Sequence, residues 1–181
     1  MTVTVLPQSR PLTAADLETR PDDGHRYELI DGALIVTPSP AVPHQRIVGN
    51  LHLLLRQACT APFEVMLAPL DVTVFDVTVV QPDLLVAPRQ TLTGRKMAGL
   101  PVPAVEVLSP GTRPIDLNLK RAAYEGFGTA SYWVVDPAGP RVLVWKLGSQ
   151  GYGEPLEAVG DRALELTHPF PLSIVPAELA R

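Results

Sequence analysis

The sequence predicts one α/β (α+β) domain spanning residues 1–181, in which helices flank a central mixed β-sheet and a β-hairpin lies near the N-terminus. Hydrophobic residues make up 46% of the chain and charged residues 19%, which suits a folded domain with a substantial core. The patterns follow the order hairpin, helix, several strands, helix and strands, which favours a mixed sheet over a regular βαβ series. The lack of a glycine-rich phosphate loop argues against a P-loop or Rossmann nucleotide-binding domain.

The first predicted elements are a short helix and the hairpin. Thr13 is predicted as the N-cap of a helix that ends at Thr19. The dipeptide Asp31-Gly32 separates two alternating apolar segments, which is the strongest short-range signal for a hairpin. Strands are therefore predicted near Arg26–Ile30 and Ala33–Thr37.

A long amphipathic helix is predicted next, over Val42–Ala58, because apolar residues recur there at helical spacing and Pro43 suits a first turn. The rest of the chain alternates between strands and one more helix. Its predicted elements are β-rich runs at Phe63–Ala68, Leu70–Phe75 and Val77–Ala87, an exposed loop or short helix at Pro88–Leu100, a buried strand at Ala104–Ser109, a helix at Ile115–Gly126, and two strands joined by the turn Asp136–Gly139.

The helix predicted over Ile115–Gly126 carries polar residues whose placement matters for function. Helical spacing assigns the core-facing stripe to Ile115, Leu119, Ala122 and Ala123. Asp116, Lys120 and Tyr124 then lie along the border of that stripe. Trp133 and Trp145, in the strands that follow, are predicted to be core residues.

Two carboxylates are the first candidates for chemistry, because each lies among aliphatic residues of a predicted strand. Asp83 occurs in VVQPDLLVA and Glu106 in AVEVL. Such a carboxylate is paired, protonated or bound to a cation if it is buried, or else it faces solvent from an edge strand. Lys120 can extend its ammonium over the end of the neighbouring strand, the alternative being a surface ion pair with Asp116.

Taken together, Asp83, Glu106 and Lys120 match the needs of phosphodiester hydrolysis. That reaction uses a hard cation held by carboxylates, which polarises the phosphate and lowers the pKa of an attacking water. It also benefits from a lysine that stabilises developing charge. The three residues therefore predict a site for Mg²⁺ or Mn²⁺.

Several segments in order make the chain similar to the Uma-type restriction endonuclease family, a bacterial branch of the PD-(D/E)xK nuclease superfamily. The segments are YELIDGALIV, PSPAVPHQRIVGNLHLLL, QPDLLV, VEVLSPGT and DLNLKRAAYEGFGTASYWVVDP, so the similarity covers nearly the whole chain. The resemblance implies a restriction-endonuclease-like fold and a metal-dependent endonuclease acting on DNA. It also implies that Asp83 and Glu106 bind the metal. The superfamily lysine usually follows the second acid by two positions, where this chain has Leu108, so the resemblance implies that Lys120 replaces it.

Three further polar residues are candidates for the same site. Glu28 matches an acidic position of the family and would approach the metal or hold its water, the alternative being a pair with a base such as Arg26. His44 and Gln45 begin the long helix, and the free N–H groups of a helix N-terminus favour phosphate. We therefore expect His44 and Gln45 to bind substrate.

Net charge weighs against a long nucleic-acid interface, since the chain carries −4 and nonspecific binding depends on Lys and Arg. One alternative is therefore a nuclease-fold module that binds nucleic acid or a protein partner with little or no catalysis. Another is a metal-dependent hydrolase of a different phosphate substrate. A basic surface around the site would favour the nuclease, and its candidate residues are Arg89, Arg95, Lys96, Arg113 and Arg121.

Partners and location follow from the same observations. We expect a homodimer, because cleavage of duplex DNA needs two sites related by symmetry. The single cysteine, Cys59, suits a reducing compartment, and the sequence shows no long apolar run and no secretory pattern. We therefore expect a cytoplasmic protein without a membrane anchor.

Overall fold

The computed structural model describes residues 4–6, 10–94, 96–97 and 99–181. Its helical elements are α1 (Ala14–Glu18), α2 (Val42–Ala58), a 3₁₀ turn (Arg89–Thr91), a π-helical segment (Ile115–Lys120), α3 (Arg121–Gly126) and α4 (Pro176–Leu179). Its strands are β1 (Thr4–Leu6), β2 (Arg26–Ile30), β3 (Ala33–Thr37), β4 (Phe63–Leu67), β5 (Asp71–Phe75), β6 (Thr78–Val80), β7 (Leu84–Pro88), β8 (Leu92–Thr93), β9 (Lys96–Met97), β10 (Ala104–Val107), β11 (Ser131–Asp136), β12 (Arg141–Gly148), β13 (Gly151–Tyr152), β14 (Leu156–Val159), β15 (Leu164–Leu166) and β16 (Leu172–Ile174).

The strands form two large sheets and a small pair. The central sheet has the order β13-β12-β11-β10-β7-β4, with β14 paired to β12. The N-terminal sheet has the order β1-β3-β2-β6-β5-β9-β8, and β15 pairs with β16. β10 is parallel to β11 and β5 is parallel to β9, whereas the other pairs are antiparallel. The mixed α and β fold with a large mixed sheet is confirmed, although the sequence indicated only one such sheet.

Both faces of the central sheet are covered. Helix α2 packs on one face through Ile47, Leu51 and Leu55, in a cluster that contains Val105 and Trp133. The opposite face packs against the N-terminal sheet and α3. That second cluster includes Ile30, Val72, Leu85, Ala104, Leu108, Tyr124, Val134 and Trp145. The prediction that both tryptophans are core residues is confirmed, since Trp133 and Trp145 are buried.

Local signals in the N-terminal half predicted their elements well. The bounds of β2, β3 and α2 are those expected from the sequence. In the hairpin turn, Asp31 has φ +50° and Gly32 has φ +76°, as a tight type I′ turn requires. A Cβ on Gly32 would lie only 2.5 Å from Pro11 Cβ, so this turn needs glycine for space as well as for conformation.

Two predicted segments differ from the structure. The run Val77–Ala87 is split into β6 and β7, which belong to different sheets and are separated by Gln81–Asp83. Pro82 explains the break, because proline has no N–H to donate to a strand ladder. The segment Pro88–Leu100 contains a 3₁₀ turn and two short strands rather than a loop or helix alone.

The core stripe predicted for the helix at Ile115–Gly126 is correct at Ile115, which is buried, but wrong at Leu119 and Ala122, which are exposed. Leu119 is 51% exposed, whereas Asp116 and Lys120 are only 2% and 3% exposed. Tyr124 is fully buried as well. The cause is the π-helical segment, whose wider turn changes the faces that a regular 3.6-residue period predicts. The surrounding carboxylates offset the cost of burying the Lys120 charge.

None of the helices within the described ranges has the length and apolar character needed to cross a membrane.

Candidate active site

The site forms where strands β7 and β10 stop pairing. Leu84 is opposite Val105 and Leu85 is opposite Ala104, so one further step of this register brings Asp83 opposite Glu106. Side chains alternate along a strand, which directs Asp83 and Glu106 to the face that carries Leu85. The Val107 N–H donates to Asp83 Oδ2 over 2.9 Å. The chain thus brings both predicted metal ligands to one end of the central sheet.

Glu106 of the central sheet and Glu28 of the N-terminal sheet both contact the buried Lys120 ammonium. Lys120 Nζ lies 3.0 Å from Glu106 Oε1 and 2.8 Å from Glu28 Oε1, and Asp116 Oδ1 is 3.8 Å away. Glu28 Oε1 also accepts the Gln81 N–H at 2.8 Å. The side chain of Lys120 is 4% exposed, so its charge is held almost entirely by these carboxylates.

Asp83 has a different set of partners. Arg26 Nη1 donates to its Oδ1 over 3.0 Å, and His44 Nε2 is 3.0 Å from its Oδ2. Burial alone would raise the pKa of this carboxyl group. The hydrogen bond from His44, the charge of Arg26 and the Val107 N–H outweigh burial and lower the pKa of Asp83 to about 2. Asp83 is therefore ionised across the physiological range.

The pKa values of Glu106 and Asp116 shift in the opposite direction. Burial raises the pKa of Glu106 well above its ordinary 4.5; Lys120 opposes the increase, and neighbouring carboxylates add to it. Burial also raises the pKa of Asp116, from 3.8 to about 6. Burial disfavours the Lys120 ammonium as well, but the attraction of the three acids prevails and its pKa is raised. The cluster is thus short of positive charge.

A cleft of about 1010 Å³ adjoins the cluster. Arg26, Gln45 and Gln81 are among its lining residues, together with the loop Thr37–Pro40. The acids themselves lie beneath this lining, since Asp83 is 4% exposed. A substrate in the cleft would thus meet Arg26 and Gln81 before it met the carboxylates.

The residues fit a divalent cation bound by two carboxylates. Four carboxyl groups (Glu28, Asp83, Glu106, Asp116) surround only two permanently charged cations, Arg26 and Lys120. No three His, Cys, Asp or Glu side chains within the described part of the chain are arranged around one metal position. Mg²⁺ needs no such cage, because it keeps several waters and is commonly held by one or two carboxylates.

Two buried polar atoms beside the acids have unused hydrogen-bonding capacity. His44 Nδ1 and the Tyr124 hydroxyl are buried and have no hydrogen-bond partner within the described ranges. Both lie beside the acids, since His44 contacts Asp83 and the charges of Glu106 and Glu28 raise the pKa of Tyr124 after the larger effect of burial. A bound water or ion would satisfy such atoms.

The structure brings most of the predicted residues together. Asp83, Glu106, Lys120 and Glu28 form one cluster, and Glu28 pairs with Lys120 rather than with Arg26. His44 contacts Asp83 instead of the cleft, whereas Gln45 is exposed and lines the cleft.

Sequence reasoning did not find the link between Arg26 and Asp83, or the place of Asp116 inside the cluster. One signal for Arg26 was available, since Arg26 and Glu28 are two residues apart in a strand and so share a face.

Three of the five candidate residues for a basic surface lie in the described part of the structure, and each has a partner of its own. Arg89 follows β7 at the end opposite Asp83 and lies 3.3 Å from Glu64. Arg113 is paired with Asp136 at 2.7 Å, and the Arg121 guanidinium lies over the Trp145 ring. Arg95 and the side chain of Lys96 lie outside the described part of the structure.

Comparisons with known proteins agree on one kind of fold. The model of the Uma2 family, described as "Putative restriction endonuclease", matches residues 14–179. The chain is also similar to a crystal structure described as "a putative nuclease belonging to DUF820" from Anabaena variabilis, with a TM-score of 0.76 and 19% identity. That similarity covers 94% of this chain and 100% of the other. No curated protein matches the chain significantly.

Proposed function

The chain belongs to the Uma2 family, and from this premise we propose that it is a metal-dependent endonuclease that hydrolyses phosphodiester bonds of DNA. The observation that carries the proposal is the convergence of Asp83 and Glu106 at one sheet end, with the buried Lys120 ammonium 3.0 Å from Glu106. Family membership and a nuclease-like fold support the general class. The metal, the DNA substrate and the residue roles are the proposed part.

Asp83 and Glu106 would hold Mg²⁺ or Mn²⁺ through carboxylate oxygens. When bound, such an ion polarises the phosphate and lowers the pKa of an attacking water. Ionised Asp83 is suited to this task because its pKa is lowered to about 2. His44 orients Asp83 by donating from Nε2 to Oδ2.

Lys120 supplies positive charge where negative charge develops on the phosphate. Its Nζ donates to Glu28 and Glu106, and an ammonium has one more N–H to offer to a substrate oxygen. Glu28 acts as a positioning residue for Lys120, and the Gln81 N–H fixes Glu28 in turn. Gln45 is a candidate contact for the DNA backbone because it is exposed in the cleft.

We further propose that residues 1–181 form one domain, which acts as a homodimer in the cytoplasm. A dimer would place two clefts in symmetrical positions on a duplex.

The test is nicking of supercoiled plasmid with Mg²⁺ or Mn²⁺ by the unmodified protein and by Asp83→Asn and Glu106→Gln. Both substitutions keep the side-chain shape and remove the charge. Glu165→Gln is the matched control, because Glu165 is exposed on β15 and contacts Ser173. We expect metal-dependent nicking that is lost in the two site variants and kept in the control. Calorimetric titration with Mn²⁺ measures metal binding separately.

A second candidate is a nuclease-fold module that binds nucleic acid or a protein without cutting DNA. It is favoured by the net charge of −4 and by the carboxylate partners of Arg89 and Arg113, which offset the charge of these arginines. A folded protein that neither nicks plasmid nor binds Mn²⁺ would support this module and rule out the enzyme. Bis(p-nitrophenyl) phosphate, a general phosphodiester probe, would reveal a hydrolase with another substrate.

A further inference from the structure

Arg26 connects the buried acids with the cleft. Its Nη1 donates both to Asp83 Oδ1 over 3.0 Å and to the Gln81 carbonyl oxygen over 3.1 Å. Its side chain is 21% exposed, compared with 5% for Asp83 and 4% for Lys120. Arg26 is also one of the residues that line the cleft. Its guanidinium therefore touches a proposed metal ligand and a substrate space at once.

The contact between Arg26 and Asp83 conflicts with metal binding. A cation that bound Asp83 Oδ1 would share this oxygen with the Arg26 guanidinium, and the two positive charges would repel at short range. Asp83 would keep two other hydrogen bonds, from His44 and from the Val107 N–H, both to Oδ2. Only the oxygen bound by Arg26 would thus change partner.

The burial of the neighbouring side chains determines the direction in which the Arg26 side chain can move away from Asp83. The cluster side of its strand is filled by Glu28 and Lys120, both nearly inaccessible, whereas the cleft side is open. A guanidinium that enters the cleft keeps an exposed fork of N–H groups, which matches the two oxygens of a phosphate. The Gln81 carbonyl, which also lines the cleft, gives the moving side chain a second anchor.

We propose that Arg26 occupies the metal-ligand oxygen of Asp83 while the metal is absent, and turns into the cleft to bind a substrate phosphate when the metal binds. The inference rests on the proposed function and assigns a phosphate-binding role that sequence analysis did not. It predicts two effects of opposite sign when Arg26 is removed. Metal affinity increases because a competitor is lost, and DNA affinity decreases because a phosphate contact is lost. A purely structural arginine would not give this combination.

The experiment compares Arg26→Met and Arg26→Lys with the unmodified protein. Arg20→Met is the matched control for metal affinity, because Arg20 lines the same cleft, whereas the side-chain partners of Asp83 within the described structure are Arg26, His44 and the Val107 N–H. Calorimetry with Mn²⁺ alone measures metal affinity, and anisotropy of a labelled random-sequence duplex in Ca²⁺ measures DNA binding without cleavage. Circular dichroism and thermal melting verify folding. Nicking rates at several DNA concentrations separate kcat from KM.

For Arg26→Met we expect Mn²⁺ to bind about tenfold or more tightly, since a charged hydrogen bond no longer competes for Asp83. DNA should bind several-fold more weakly and KM should rise. Arg26→Lys should restore part of the DNA affinity, and Arg20→Met should leave the Mn²⁺ affinity within about twofold.

Two results overturn the inference and can be told apart from a failure of the enzyme. If the unmodified protein binds Mn²⁺ and nicks DNA, but Arg26→Met binds Mn²⁺ equally or more weakly, the inference is wrong and the nuclease stands. Unchanged DNA affinity in Arg26→Met also refutes it. If neither the unmodified protein nor Arg26→Met binds Mn²⁺, the proposed function and the inference fail together.

Discussion

Replacing Lys120 with methionine would keep the length and apolar stem of the side chain while removing its charge. In the folded protein the ammonium lies 2.8 Å from Glu28 and 3.0 Å from Glu106, and its side chain is 4% exposed. Water cannot replace it at that depth. Lys120→Met therefore leaves up to three buried carboxyl groups, including Asp116, without their shared cation.

The expected cost follows from burial of an unpaired charge. Removal of one partner from a buried ion pair costs about 3–5 kcal/mol of the free energy of unfolding. For a chain of this size that corresponds to a decrease in Tm of about 6–20 °C. The loss should be smaller near pH 5 than near pH 8, because the acids can take up protons in place of the missing cation.

The assay is urea unfolding followed by circular dichroism, at both pH values, with Lys146→Met as control. Lys146 is exposed on β12, so its substitution should change stability by less than about 0.5 kcal/mol. The double variant Lys120→Met/Glu106→Gln tests the cause directly. Because the double variant also removes the unpaired Glu106 carboxylate, its free energy of unfolding should be at least about 1 kcal/mol higher than that of Lys120→Met alone.

A Lys120→Met variant as stable as Lys146→Met at pH 8 would contradict this prediction. A double variant no more stable than Lys120→Met alone would contradict it equally. Either result would mean that the carboxylates and Lys120 are solvated and that the cluster is not a charge-paired core.

Three other predictions concern the same fold. Burial raises the pKa of Asp116 from 3.8 to about 6, so the folded state favours the protonated carboxyl group. This contribution of about 3 kcal/mol to the free energy of unfolding is lost as pH rises from about 4 to about 6. In urea unfolding, the stability of Asp116→Asn should not show this loss. Ser131→Ala strands the buried Trp133 N–H, which donates to Ser131 Oγ at 2.7 Å, and should cost about 1–3 kcal/mol in the same assay. Gly32→Ala should lower Tm more than Gly24→Ala, because both glycines have positive φ but only Gly32 lacks space for a Cβ.

Each of these predictions has a contrary outcome. Parallel stability curves of Asp116→Asn and the unmodified protein across that pH window would show that Asp116 titrates normally. A neutral Ser131→Ala would show that Trp133 finds another acceptor. Equal melting temperatures of Gly32→Ala and Gly24→Ala would show that Pro11 can move away from a Cβ at position 32 without loss of stability.

Sequence alone was sufficient wherever local physics decides the structure. Helix α2 was predicted with its observed bounds because apolar residues at helical spacing need no distant partner to be recognised. The Asp31-Gly32 turn was predicted because few dipeptides adopt two successive positive φ values. Asp83 and Glu106 were identified as candidates because carboxylates are unusual within aliphatic strands.

Tertiary structure decided the faces and the long-range pairs. The helical period indicated Leu119 as a core residue, but the π-helical segment exposes it and buries Lys120 instead. No local pattern could predict the bond between Arg26 and Asp83, which are 57 positions apart. Arg26 lies on β2 of the N-terminal sheet, whereas Asp83 immediately precedes β7 of the central sheet. Sequence therefore determined which groups are unusual enough to form a site. The packing of one sheet on the other decided which of these groups come into contact. The physical reason is that a buried charge is costly unless an oppositely charged group lies next to it, and only the tertiary structure determines which groups are neighbours.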